Sequence, residues 1–129
     1  MMEALDQLAM PTEMREAVRE ALERVVELAH PDLVILFGSW AEGRAQADSD
    51  VDLVVVAPSS DRRALARDLY LLWHRLHRAS PRLPAADILV YTPREFQEAY
   101  LVGFPAYNAV RQGVVVHGQL PDFCLQVAA

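Results

Sequence analysis

The chain has a single cysteine, Cys124, and no lysine. A lone thiol excludes an internal disulfide and any metal centre built from several thiolates. Its 12 basic residues are therefore all arginine, set against 18 acids for a formal net charge of −6 and a pI near 5.1. Such a balance leaves no broad basic surface for a nucleic-acid backbone, so direct nucleic-acid binding is not expected, although one basic stripe would still serve. Long hydrophobic runs are also missing. The wholly apolar stretches are strand-sized and fall well short of a membrane span. The opening Met1-Met2-Glu3-Ala4 lacks a basic region followed by an apolar run, which argues against a signal peptide. A soluble, cytoplasmic protein with no membrane contact is expected.

What is present is an ordinary globular composition, 53% hydrophobic and 23% charged over 129 residues. No internal repeat, low-complexity segment or linker divides it. One domain over residues 1–129 is expected, with the tail from about residue 119 either an interface or disordered. Phe104, Tyr107, Phe123 and the apolar run from Cys124 to Ala129 would close the core or meet a second subunit.

Hydrophobic periodicity predicts a first helix over Met10 to Ala29, with Met14, Val18, Leu22, Val25 and Leu28 on one face. Leu33 to Phe37 reads as a buried strand, followed by Gly38-Ser39 and one helical turn at Trp40 to Gly43. A second strand is predicted over Asp50 to Ala57. Asp61 suits the N-cap of a helix over Arg62 to Ala79, with Leu65, Leu69, Leu72, Trp73 and Leu76 on its buried stripe. The third strand is Ala86 to Tyr91. Thr92-Pro93-Arg94-Glu95 carries a capping box for a helix to Val102. Ala106 to Gln112 resumes the helix, Gly113 stops it, and Val114 to Val116 forms a short last strand. The sum is an α/β (α+β) fold, a small mixed β-sheet flanked by helices.

The loop between the first two strands is too brief for a crossover, so those strands should be antiparallel. About thirty residues with a long helix join the second to the third, which fits a parallel crossover. The end of the first strand and the starts of the other two then meet at one sheet edge. Asp50, Asp52 and Asp87 all stand there. Three carboxylates in one place repel one another and resist desolvation unless a cation lies between them. An all-oxygen donor set suits Mg²⁺ or Mn²⁺, and magnesium shares its shell with phosphate oxygens, so a nucleotide substrate is implied. Gly38 lets the backbone approach a phosphate, and Ser39 adds a hydroxyl. Arg44 and Ser49 lie in the same loop as further candidate nucleotide contacts.

The segment Gly38-Ser-Trp-Ala-Glu-Gly-Arg followed by Asp48-Ser-Asp-Val-Asp-Leu resembles the signature of the DNA polymerase beta-like nucleotidyltransferases. More narrowly it resembles the minimal nucleotidyltransferases, or MNT proteins. The likeness extends over nearly the whole chain, through Ala86-Asp87-Ile88-Leu89-Val90 to Val110-Arg-Gln-Gly-Val-Val-Val-His-Gly. It departs at Val116-His117, where relatives often carry Leu-Tyr. The resemblance implies that Asp50 and Asp52 bind two divalent ions, that Asp87 helps hold the catalytic one and favours deprotonation of the attacking hydroxyl, and that Gly38 and Ser39 hold the triphosphate. It implies ATP as the nucleotide and transfer of AMP to a hydroxyl.

Larger relatives carry an added domain for their acceptor, and about forty residues after the third strand leave little room for one. Bacterial and archaeal MNT proteins typically pair with HEPN-domain proteins as antitoxin and toxin. The resemblance thus implies adenylylation of a tyrosine on a HEPN toxin, in a hetero-oligomer or with a homodimer. Two alternatives stand beside it: an antitoxin that acts by occlusion, and an adenylyltransferase for a small molecule such as an aminoglycoside. His74 and His77 are read as an exposed basic helix face rather than a metal pair, and His30 and His117 as structural. The Arg-rich helix is read as a solvated face, with partner or RNA contact as the minority option.

Overall fold

The computed structural model describes residues 2–125. Its elements follow the predicted order. Helix α1 spans Thr12–Ala29, strand β1 Leu33–Phe37, helix α2 Ser39–Glu42, strand β2 Val51–Val56 and helix α3 Arg62–Ala79. Strand β3 spans Ala86–Tyr91, helix α4 Pro93–Val102, helix α5 Ala106–Gln112, strand β4 Val114–Gly118 and helix α6 Asp122–Leu125. A 3₁₀ helix at Glu3–Gln7 precedes them all and was not expected from the sequence.

The sheet order is β3-β2-β1-β4. β1 is antiparallel to β2 and β4, while β2 is parallel to β3, as connection lengths demanded. Alternation along the strands sends side chains to two faces. Val34, Leu36, Leu53 and Val55 meet Val18, Leu22 and Val25 of α1 and Leu69 and Trp73 of α3. Leu33, Ile35, Val54 and Val56 meet Phe96 and Tyr100 of α4, Ala106 and Ala109 of α5, and Cys124. The result is a sheet between two helical layers, which explains why its strands read as continuous apolar runs.

Helix α3 matters most for the site, because it carries the chain from β2 to the start of β3. Asp61 caps it, accepting a hydrogen bond from the Ala64 amide at 3.1 Å. Leu69 and Trp73 are fully buried and pin it to the sheet. Truncating Leu69 to alanine would cost about 2–5 kcal/mol by cavity formation. The Trp73 indole N–H also donates to the Pro84 carbonyl at 2.9 Å, and His77 Nδ1 lies 2.7 Å from the Leu83 carbonyl. Both contacts fasten the turn that leads into β3.

Four elements differ from expectation in their bounds, α2 among them, which spans Ser39–Glu42 rather than Trp40 to Gly43. α1 begins at Thr12 rather than Met10, because Arg15 takes the Leu8 and Met10 carbonyls at 3.1 and 2.8 Å and holds that segment outside the helix. β2 begins at Val51 and ends at Val56, inside the predicted span of Asp50 to Ala57. β4 runs on to Gly118, because His117 and Gly118 still pair with Val34 and Leu33 of β1. Phe123 packs its ring 5.9 Å from Phe96 and 5.4 Å from Tyr100, centroid to centroid. The last four residues, Gln126 to Ala129, lie outside the described residues. No described helix is long and apolar enough to cross a membrane.

Candidate active site

β1 ends at Phe37, and the chain turns at Gly38 with φ 77° and ψ −153°, a conformation reserved for glycine. The turn enters α2 at Ser39. Phe37 is the register partner of Asp52, so the Asp52 carboxylate lies beside Gly38. A Cβ on Gly38 would overlap Asp52 Oδ2 and stand 3.0 Å from Asp52 Cγ. The missing side chain therefore makes room for the acid. The loop after α2 hangs from Trp40, which is buried and donates its indole N–H to the Ser49 carbonyl at 3.1 Å.

The candidate residues fall into two groups around a row of carboxylates. Asp52 and Asp87 are register partners in the parallel β2–β3 ladder and stand side by side on one face. Asp50 is exposed and precedes β2, which corrects the expectation that it shares the strand with Asp52. The ladder starts one residue later, where the Val51 amide donates to the Ala85 carbonyl at 2.9 Å. Asp50 therefore owes its position to the loop. Burial, with Asp87 and then Asp50 nearby, pushes the Asp52 carboxyl above the ordinary range, while Arg44 opposes the shift.

A cation among these acids would relieve their repulsion. The donor set is all oxygen and fits a hard divalent ion. Asp50, Asp52 and Asp87 would hold it, although among the described residues no three acid, His or Cys side chains converge on one ion-sized point. Like charges disfavour such convergence unless a cation offsets them.

Two depressions open on either side of the acids. One, of about 510 Å³, is lined by Phe37, Gly38, Ser39, Glu42, Arg44, Asp52, Phe104, Asn108 and Gln112. It brings together the predicted Gly38, Ser39, Arg44 and Asp52, and adds three contributors from the α4–α5 region. The other, of about 220 Å³, is lined by Asp50, Asp87, Tyr70, Trp73, His74, His77, Ala85 and Ala86. Ser49 lines neither. Its hydroxyl accepts the Gln46 amide at 2.8 Å and shapes the loop. Arg44 pairs with Glu42 at 3.1 Å yet faces the larger depression.

Phe104, Asn108 and Gln112 went unread as site residues. Phe104, expected to close the core or meet a second subunit, is 77% exposed and lies on the rim of the depression. The signal was available only as an aromatic between glycine and proline, ahead of two amides four residues apart. Tyr70 lies on α3 beside the buried Leu69 and is exposed.

The acids stand at the joint of an antiparallel and a parallel strand pair. The nucleotidyltransferase domain family matches residues 18–80, which contain the Gly38 turn, Asp50 and Asp52. Over residues 18–80 the chain is thus similar to the nucleotidyltransferase domain family, and its mixed four-stranded sheet is consistent with a polymerase beta-like core. No curated protein matches it significantly. Among solved structures, a toxin–antitoxin complex with AMP-PNP matches with a TM-score of 0.56 at 21% identity, over 83% of this chain and 81% of that one. An MntA–HpeT toxin–antitoxin complex carrying two Asp-to-Glu substitutions matches with a TM-score of 0.52 at 19% identity, over the same 83% and 81%. At these identities the likeness is one of fold.

Proposed function

We propose that the protein is a divalent-metal-dependent adenylyltransferase that moves AMP from ATP to a tyrosine hydroxyl of a HEPN-type toxin and so acts as its antitoxin. The observation that carries the chemistry is the row Asp50, Asp52 and Asp87, in which partial burial and then repulsion from the other two push the Asp52 carboxyl up. Such an arrangement is stable in use only with cationic charge among the acids. A toxin partner is carried over from the toxin–antitoxin complexes that share the fold, AMP-PNP in one of them suggests ATP, and the HEPN class and its tyrosine rest on the sequence resemblance to MNT proteins.

In this reading the larger depression takes the nucleotide. The Gly38 turn brings backbone to the phosphates, Ser39 donates a hydroxyl, and Arg44 supplies positive charge. Phe104 offers a ring face to the base, with the Asn108 and Gln112 amides within the same wall. Divalent ions held by Asp50, Asp52 and Asp87 would supply charge neutralisation at the triphosphate. The acceptor oxygen forms its bond to the α-phosphorus in line with the bond to the bridging oxygen, which breaks. Asp87 takes the acceptor proton and passes it to water, and pyrophosphate leaves with the bonding electrons.

The test is mass spectrometry of a co-expressed HEPN partner with ATP and Mg²⁺. One AMP increment per modified tyrosine is expected, absent with the combined Asp50→Asn and Asp52→Asn variant. If that double variant still forms the complex and fully protects cells, occlusion is the operative mechanism and the catalytic reading falls. If the partner stays unmodified while an aminoglycoside gains AMP, the small-molecule reading replaces it.

A further inference from the structure

The smaller depression and the outer face of α3 lie apart from the Gly38 turn. The depression shares the carboxylate row with the larger one but reaches it from the α3 side, through Asp50 and Asp87. Its volume of about 220 Å³ is less than half of the 510 Å³ on the Gly38 side. Small-molecule pockets begin at about 300 Å³, so the space suits one side chain rather than a nucleotide. It has no glycine turn for a phosphate. Its wall is aromatic instead: the Tyr70 and His74 rings are stacked at 5.9 Å with 7° between their planes. Tyr70 is 58% exposed despite its size.

The floor is rigid. Trp73 is buried and holds Pro84, while His77 holds Leu83, so the approach to Asp87 is fixed before anything binds. Around the ring pair the exposed face of α3 is basic. Arg63, Arg67, Tyr70, His74 and Arg78 recur at three- and four-residue steps, with Arg75 alongside. Arg67 pairs only with its neighbour Asp68, at 3.6 Å, and Arg63, Arg75 and Arg78 enter no ion pair among the described residues. In a chain of net charge −6, this concentration of unpaired cations on one face is a local departure.

We infer that the outer face of α3 is the acceptor site: the Tyr70–His74 wall takes a tyrosyl ring of a partner protein, and the flanking arginines take acidic residues on either side of that tyrosine. The inference rests on the adenylyltransferase reading and supplies its acceptor geometry. A phenol laid along the ring pair points its hydroxyl into the depression where Asp50 and Asp87 lie. A serine or threonine would leave the aromatic wall wet and gain nothing from it. The arginines steer and orient the acidic flanks, which sets specificity and approach more than bare affinity.

Two fluorescein-labelled peptides test the idea, one with tyrosine between acidic residues and one with the same tyrosine between lysines. Anisotropy up to millimolar protein reads binding without catalysis, and AMP transfer from radiolabelled ATP reads turnover. The acidic peptide should bind and be labelled, and the lysine peptide should do neither. Tyr70→Ala with His74→Ala should raise the acceptor KM roughly tenfold or more, as removal of central interface aromatics does. Arg75→Glu with Arg78→Glu should invert the preference between the peptides. ATP affinity should be unchanged in both variants.

Equal use of the two peptides overturns the inference, as does a loss of ATP affinity in the Tyr70 and His74 variant. Transfer to the 3′-hydroxyl of a short RNA, competed by neither peptide, would make the face a nucleic-acid site and also overturn it. If the full HEPN partner is adenylylated with the same KM by wild type and both variants, the acceptor site lies elsewhere while the adenylyltransferase reading stands. If no acceptor is ever labelled, that reading itself fails and takes this one with it.

Discussion

Replacing Gly38 with alanine separates two reasons for a glycine at the head of the site. Its φ of 77° and ψ of −153° lie where side-chain-bearing residues pay about 1–3 kcal/mol in backbone strain. The new methyl group would also overlap Asp52 Oδ2, so either the turn or the carboxylate must move. For a chain of this size each kcal/mol corresponds to roughly 4 °C, so the melting temperature should fall by about 4–12 °C. Displacing Asp52 by an ångström should cost on the order of 100-fold in turnover.

Gly43→Ala is the matched control. It has the same φ of 77°, but nothing lies within 4 Å of the added Cβ. It should lower the melting temperature by the left-handed backbone cost alone, about 1–2 kcal/mol, and leave turnover close to wild type. Thermal denaturation and AMP transfer on the same preparations decide the matter. Near-wild-type turnover in Gly38→Ala would refute the claim that this glycine exists to seat Asp52. An equal loss of turnover in Gly43→Ala would show that backbone strain, and not the overlap, is responsible.

Asp52→Asn should stabilise the protein at neutral pH without divalent ions while abolishing transfer. The folded state holds the Asp52 proton above its ordinary value of 3.8, so folding stability falls as pH rises from that value through the raised one, and stays lower above it. A pH series of melting temperatures should show that part of the slope vanish in the variant; an unchanged slope would count against the crowded-carboxylate account. Phe104→Ala should raise the ATP KM about 2- to 10-fold with little change in kcat, because it removes a ring face and no reacting group. Equal transfer kinetics would place the base elsewhere. Cys124 is 3% exposed, and burial pushes its thiol up to about 11 against the pull of Arg111, so a thiol reagent should label it only as the protein unfolds. Rapid labelling of the native protein would mean that α6 undocks from Tyr100 and Phe96.

The elements were legible because each has a local cause. Asp61 and Thr92 announce α3 and α4 by cap chemistry, and both caps are made as written, with Thr92 and Glu95 exchanging hydrogen bonds at 3.0 and 3.2 Å. The strand directions followed from connection lengths alone. The pairing of Asp52 with Asp87 followed from the parallel crossover, and the ladder places them directly opposite. What stayed illegible depends on contacts across the chain. Nothing near Leu8 shows that Arg15 will take its carbonyl, so the start of α1 was misplaced. Asp50 reads like a strand residue until Val51 is seen to begin the ladder. Nothing near Ser49 shows that it will accept the Gln46 amide and the Trp40 indole N–H.

One consequence of the topology ties these observations together. The connection from β2 to β3 must be long because the strands are parallel, and the chain uses α3 to make it. The inner stripe of that helix, Leu69 and Trp73, sets where β3 begins, and so where Asp87 stands relative to Asp52. Its outer stripe, Tyr70 and His74, opens on the same acids from the other side. Packing and recognition thus share one rigid helix one residue out of step. A substitution on the inner stripe should therefore move both the acid and the ring wall and depress all activity. One on the outer stripe should leave the acid in place and alter only what is accepted. That division would let the nucleotide chemistry stay constant while the acceptor surface changes.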